Sequence, residues 1–210
     1  MSEDASEPAN APPPRLRQMQ EGDPHRGGNV LVLVGDEGEA QVLKIYRRRG
    51  TRAQEWSRAL SHLFIEGKRG AGARARRDTE RLCLTLWAAH GFDVFTVFDL
   101  PPPSWIAHPT LWIEYCPGRS LLWAMLDASV PWEQKLGWLR RLASDMARRH
   151  ALALRLGEPL LVQEHGTVNH VPVSGERLIP FDFEVAYRAG YPVLRAVSTE
   201  LGGYLRSVQK

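Results

Sequence analysis

Apolar positions along the chain change period several times, and each change marks an element. Asn29-Val30-Leu31-Val32-Leu33-Val34 and Ala40-Gln41-Val42-Leu43-Lys44-Ile45-Tyr46 read as two strands joined by a turn at Gly35-Asp36-Glu37-Gly38. Lys68-Arg69-Gly70-Ala71-Gly72 reads as a loop. From Arg74 to Ala89 the spacing becomes helical, with Leu82, Leu86 and Ala89 on one face, Leu84 and Trp87 close to it, and Gly91 to stop it. Phe95 to Phe98 and Thr110 to Tyr115 predict two further strands separated by the rigid Pro101-Pro102-Pro103 run. A short helix is expected at Leu121 to Leu126, and a long amphipathic one from Pro131 to about Leu154. Strand-like pieces follow at Leu160 to Gln163, Val171 to Val173 and Leu178 to Phe181. A last helix is expected from Pro192 to Val208, weakened at Gly202-Gly203. Trp87, Trp112 and Trp138 suit core faces.

Strands come first, then one helix, then strands, then mostly helices, which predicts segregated α+β rather than alternating α/β. Residues 1–24, rich in Pro, Ala, Ser and Glu, carry too little apolar surface to offset ordering and read as a disordered tail. The remainder divides into a sheet-rich lobe over 25–115 and a reduced helical lobe over 116–210, with a cleft between them suited to a small ligand.

Composition narrows the setting. The 210 residues are 43% hydrophobic, enough for a core. No apolar run is long enough to span a membrane, and no charged start leads into an apolar stretch, so no secretory leader is expected. Cys83 and Cys116 stand far apart, which suits a reducing cytoplasm and offers no zinc spacing. The net charge of +3 is uneven: ten Lys and Arg between Arg47 and Arg77 face only Glu55 and Glu66. Such a segment is either a solvated face or mobile loop, or a surface for phosphates, an anionic membrane face or nucleic acid. The absence of a recognition motif or aromatic stripe among those arginines argues against nucleic acid.

The chemistry concentrates between Leu161 and Glu184. Glu164 is followed five residues later by Asn169, and Asp182 closes the stretch in Phe181-Asp182-Phe183-Glu184. Phosphoryl transfer needs an acceptor hydroxyl positioned and phosphate charge neutralised by metal. One carboxylate can orient the hydroxyl and take its proton, while an amide oxygen and a second carboxylate hold Mg²⁺, which prefers oxygen ligands.

In that order and spacing the stretch resembles the protein-kinase-like superfamily, closest to a small bacterial branch with the lipopolysaccharide (Kdo/heptose) kinases and the Rio-type atypical kinases. The resemblance implies a minimal bilobal protein-kinase-like fold, an ATP and Mg²⁺ cofactor pair, Glu164 as the catalytic carboxylate that takes the acceptor proton, and Asn169 and Asp182 as metal ligands. Val42-Leu43-Lys44 resembles the strand whose Lys grips the phosphates, and Glu80 its helical ion-pair partner. Ile113-Glu114-Tyr115-Cys116-Pro117-Gly118 resembles the hinge that meets adenine, with Glu114, Tyr115 and Cys116 against the nucleotide. Arg149-His150 resembles the pair that precedes the catalytic loop.

The chain also departs from the pattern. Glu164 is one methylene longer than the family's Asp. A second register lays His-Gly-Asp on His165-Gly166-Thr167, putting Thr167 in the base position and Pro172 in that of the Asn, which is inert. His165 and His170 flank the site and can stand in for a base or orient Glu164. Gly22, Gly27 and Gly28 precede the first strand without forming a Gly-x-Gly-x-x-Gly loop, and only 26 residues follow Glu184. The reading is an ATP-dependent phosphotransferase acting on a hydroxyl of a sugar, glycolipid or protein, cytoplasmic or peripheral at the inner membrane face. The alternative is a pseudokinase that serves as a nucleotide- or partner-binding module.

Overall fold

A computed structural model describes residues 16–20, 29–35 and 40–209. The two β-rich segments form strands β2 (Val30–Val34) and β3 (Gln41–Ile45), paired antiparallel with Leu31 opposite Lys44 and Val32 opposite Leu43. Residues 36–39 of the expected turn lie outside the described residues. β3 also pairs with β6 (Thr110–Glu114), which sets Val42 opposite Ile113 and Lys44 opposite Leu111. β5, only Val97–Phe98, adds the far edge. The near edge is β1 (Leu16–Gln20), antiparallel to β2. That strand corrects the expected tail over 1–24 at these five residues: the open edge of β2 supplies hydrogen-bond partners that composition alone does not reveal. Residues 1–15 and 21–28, with the glycines before β2, lie outside the described residues.

Because side chains alternate across a strand, the sheet has two apolar faces. Val30, Val32, Leu43 and Ile45 pack together on one. Val42 and Ile113, with the inner ends of Leu31 and Leu33, face the main core on the other. Lys44 is on that second face and is buried.

The Arg-rich stretch is ordered, not a mobile loop. It forms α1 (Arg52–Leu60), opened by a Thr51–Gln54 capping box, a π-helical turn over Ser61–Glu66, and the two-residue strand β4 (Lys68–Arg69). β4 pairs with β9 (Ala186–Tyr187), so the segment expected as a loop is stitched to the chain just past Glu184. Gly70 makes this possible: its φ is +100°, and a Cβ there would meet the Glu184 carbonyl oxygen at 2.0 Å.

α2 (Ala73–Ala89) buries Arg76, Thr79, Glu80, Cys83, Leu84 and Trp87 at helical spacing. This is not the predicted face: Leu82 is 39% exposed and Ala89 is exposed. The buried stripe carries three polar residues that hydropathy periodicity discounts, because their partners are ionic rather than apolar. Trp87 anchors the stripe, donating its indole N–H to the Leu160 carbonyl at 2.9 Å and packing edge-on to Phe183 with ring centroids 4.6 Å apart.

The second half contains α3 (Leu121–Leu126), α4 (Trp132–Leu156) and α5 (Val193–Val208). Pro131 caps α4 rather than entering its first turn, and Gly157, with φ 66°, ends it. The expected strand at Leu160 to Gln163 is instead a 3₁₀ turn over Pro159–Leu161, and a second such turn spans Val168–His170. The hairpin is shorter than expected, β7 (Val173–Ser174) against β8 (Arg177–Leu178). α5 runs unbroken through Gly202-Gly203. A Cβ at Gly203 would meet the Gly166 carbonyl oxygen at 2.5 Å, so this glycine admits the 163–167 loop against the helix instead of interrupting it. The architecture is α+β, a five-stranded antiparallel sheet and its helix ahead of a reduced helical half. Among the described residues no helix is long and apolar enough to cross a membrane.

Candidate active site

Two cavities meet at one residue. The first, about 390 Å³, lies under the sheet. Leu31, Val42 and Ile113 roof it, Pro172 and Phe181 floor it, Glu114, Tyr115 and Cys116 form its outer wall, and Lys44, Glu80 and Glu184 its inner end. The second, about 830 Å³, opens among α3, α5 and the 164–170 loop, with Trp123, Arg206 and Ser207 opposite Glu164, His165, Asn169 and His170. Asp182 lines both. It is also the one non-glycine residue with positive φ, 72°, among the described residues. Asp tolerates that region better than most side chains, yet such a backbone persists only where its surroundings impose it.

The inner end of the first cavity is a buried ionic network. Lys44 Nζ donates to Glu80 at 2.6 Å (Oε2) and 2.9 Å (Oε1), and lies 2.9 Å from Glu184 Oε1. The Tyr46 hydroxyl donates to Glu80 Oε2 at 2.7 Å. Glu184 Oε2 receives Arg49 at 2.9 Å and Arg76 at 2.8 Å, and Asn29 donates to Glu184 Oε1. Arg76 also donates to Asn29 Oδ1 at 2.9 Å. Burial alone would lower the Lys44 pKa, but Glu80 and Glu184 outweigh it and hold the ammonium charged. Burial pushes Glu80 up. Burial would raise Glu184 too, but Lys44, Arg49 and Arg76 pull it down to about 2. Lys44, Arg49 and Arg76 thus gather around Glu80 and Glu184 at the end of an otherwise apolar cavity.

The loop that carries Glu164 is held from beneath. Glu200 of α5, fully buried, accepts two bonds from Arg149 (3.0 and 2.5 Å), pairs with His150 Nε2 at 2.9 Å, and accepts the Gln163 backbone N–H at 3.1 Å. Gln163 donates to the Phe181 carbonyl at 2.5 Å and accepts from the Tyr204 hydroxyl at 2.8 Å. The pair expected ahead of the catalytic loop therefore acts through Glu200, which ties α4, α5 and the residue before Asp182 into one frame.

The predicted site residues fall into three groups. Lys44 and Glu80 are in direct contact. Glu164, Asn169 and Asp182 share the larger cavity, but the side chain next to the Asp182 carboxylate is His170, whose Nδ1 is 3.8 Å from Oδ2, while Asn169 Oδ1 accepts from the Ser120 hydroxyl at 3.2 Å. Glu164 is flanked on both oxygens, 2.6 Å from Lys68 Nζ and 2.7 Å from His165 Nε2. Glu114 is turned to Arg177 (2.5 Å) and Thr96 (3.1 Å), so its carboxylate braces the outer wall, leaving Tyr115 and Cys116 to the cavity. Sequence reasoning missed Glu184, Arg49, Arg76, Lys68 and Glu200. Of these only Glu184 carried a signal, as the acid two residues past Asp182.

Comparison with known proteins adds little. No family model and no curated protein matches the chain. Among solved structures it is similar to the kinase domain of PknI from Mycobacterium tuberculosis, with 19% identity and a TM-score of 0.42, over 80% of this chain. The chain spans 57% of the length of that kinase domain. The α+β layout, a five-stranded sheet with its helix ahead of a helical half, rests on the element order and the sheet pairing described above.

Proposed function

We propose that the protein is an ATP-dependent phosphotransferase, with the nucleotide in the smaller cavity and a hydroxyl acceptor in the larger. The observation that carries this reading is the placement of Asp182 on the wall common to both. A phosphoryl group passing between two ligands must cross at such a point.

The apolar roof of Leu31, Val42 and Ile113 suits a purine ring, and Lys44 and Arg49 at the inner end suit its phosphates. Lys44 would hold phosphate oxygens while Glu80 fixes its direction. Mg²⁺, when bound, would neutralise charge on the transferred group. Among the described residues no three His, Cys, Asp or Glu side chains already form a metal cage. Mg²⁺ keeps few protein ligands and would share the rest of its shell with phosphates and water. Asp182 is the carboxylate placed to hold it, and Asn169 is its candidate amide partner. The acceptor class remains a sugar, glycolipid or protein hydroxyl. Trp123, 63% exposed beside the larger cavity, offers an apolar face for a sugar ring. The Arg-rich segment spends much of its charge internally, on Glu184, Glu55, Glu66 and Glu164, which weakens the reading that it docks an anionic membrane surface.

The test is thermal stability with ATP, with and without Mg²⁺, for wild type and Asp182→Ala, followed by phosphate transfer to candidate acceptors. A ligand that binds only the folded state raises the melting temperature. A Mg²⁺-dependent rise lost in the variant supports the reading; no rise with any nucleotide sinks it. The pseudokinase reading has its own support, because Glu184 sits on Lys44 where phosphates would go. It predicts a rise without Mg²⁺, or none, and no transfer.

A further inference from the structure

Glu164 is the residue that sequence spacing selects to take the acceptor proton, but its surroundings suit it to a different task. It is buried, and its two oxygens are flanked by Lys68 and His165. Burial would raise its pKa, yet His165 and Lys68 outweigh that and hold it below the ordinary carboxylate range. Lys68, bridging Glu164 and Glu66 at 2.6 and 2.8 Å, is itself pushed up to about 12, burial being outweighed by those two acids. A carboxylate stabilised in this way is a weak base. The imidazole it holds is different. The His165 side chain is 59% exposed and stands on the wall of the larger cavity, which Asp182 also lines.

We infer that His165, not Glu164, takes the proton of the acceptor hydroxyl, and that Glu164 and Lys68 are positioning residues behind it; this rests on the phosphotransfer reading. Nε2 lies 2.7 Å from Glu164 Oε2 as a charge contact, out of line for a hydrogen bond, since that oxygen accepts none; with the ring hydrogen on the nitrogen beside the carboxylate, the lone pair is on Nδ1. The acceptor O–H proton passes to Nδ1. The oxygen electron pair forms the bond to the γ-phosphorus as the bond from that phosphorus to the bridging oxygen breaks, and its electron pair departs on ADP. The resulting imidazolium is stabilised by Glu164, the same division of labour by which a carboxylate orients and supports a basic imidazole elsewhere.

The ring answers to charges on both sides. Glu164 raises its pKa most, burial lowers it, Asp182 raises it and Lys68 lowers it. Behind the ring, Arg49, Arg58, His62 and Glu66 line a cavity of about 250 Å³ with Lys68. In front stand His170 and Arg206.

The experiment is an NMR titration of the His165 imidazole in the full chain, run beside the pH profile of kcat. In Glu164→Gln the ring should ionise at lower pH, and the acid limb of kcat should move down with it. Lys68→Met, which removes a cation from beside the ring, should move both the other way. His165→Gln, at an exposed position, should lose roughly 100-fold or more in kcat and keep the Mg²⁺-dependent thermal shift with ATP. A His165→Gln enzyme within threefold of wild type, or a titration unmoved by Glu164→Gln, overturns the inference and leaves phosphotransfer standing. Wild type with neither thermal shift nor transfer overturns both.

Discussion

Lys44 Nζ sits 2.6 Å from Glu80 Oε2, joining the central strand of the sheet to the helix that crosses its face. Both groups are buried, and each is the other's main compensation for leaving water. Lys44→Met should therefore leave two carboxylates, Glu80 and Glu184, with one fewer cation between them. Removing one partner of a buried pair costs about 3–5 kcal/mol. Urea unfolding should show a loss of that order, along with loss of the ATP-induced thermal shift. A variant as stable as wild type would mean that water or Arg76 takes over the role of Lys44.

Asp182 joins a demanding backbone to a proposed metal contact, and two substitutions separate them. At φ 72° an alanine is strained and a glycine is not. Asp182→Gly and Asp182→Ala should both abolish the Mg²⁺ dependence of ATP binding, while the alanine variant unfolds roughly 1 kcal/mol more easily than the glycine one. Equal stabilities would show that the loop relaxes out of the left-handed region once the carboxylate is gone.

Acid should act on the network through Glu184. Its folded pKa, about 2, lies below the unfolded value of about 4.3. The folded state thus binds fewer protons, and Glu184 stabilises the fold fully above the unfolded pKa. That contribution fades as pH falls toward 2. Glu200, also held below the ordinary carboxylate range because Arg149 and His150 outweigh its burial, acts in the same direction. Between about pH 4.5 and 2, wild type should lose stability more steeply than Glu184→Gln. Parallel acid denaturation curves for the two proteins would contradict the assignment.

The sequence made the sheet legible because short runs of Val, Leu and Ile bounded by a Gly/Asp turn are a local signal, and Val30 to Val34 and Val42 to Ile45 display it without help from the rest of the chain. It also placed Lys44 and Glu80 on elements that do meet. What it concealed were contacts made by polar residues across long stretches of chain. Glu184 and Arg76 are 108 residues apart and Arg149 and Glu200 are 51. Hydropathy gives a buried arginine or glutamate no weight, which is why periodicity points to Leu82, Leu86 and Ala89 as the inner face of α2. Spacing likewise selects Glu164 and Asn169 by their distance in sequence, while the side chain beside the Asp182 carboxylate is His170 and the exposed one next to Glu164 is His165.

Glycine replacement offers a sharp contrast between two positions. A Cβ on Gly70 would meet the Glu184 carbonyl oxygen at 2.0 Å with φ at +100°, and the atom it meets is backbone. Gly70→Ala should then force β4 away from β9 and carry Lys68 off Glu164. The expected loss is at least about 2 kcal/mol, of the size seen when a substitution meets both a steric block and a disallowed backbone. Gly137 lies in the interior of α4, and a Cβ added there would find open space, with no neighbouring atom within 4 Å. Gly137→Ala should stabilise the protein by about 0.5–1 kcal/mol, since alanine restricts the unfolded chain and favours the helix. Melting temperatures of the two variants should move in opposite directions. A tolerated Gly70→Ala would show that the β4–β9 pairing does not hold Lys68 against Glu164.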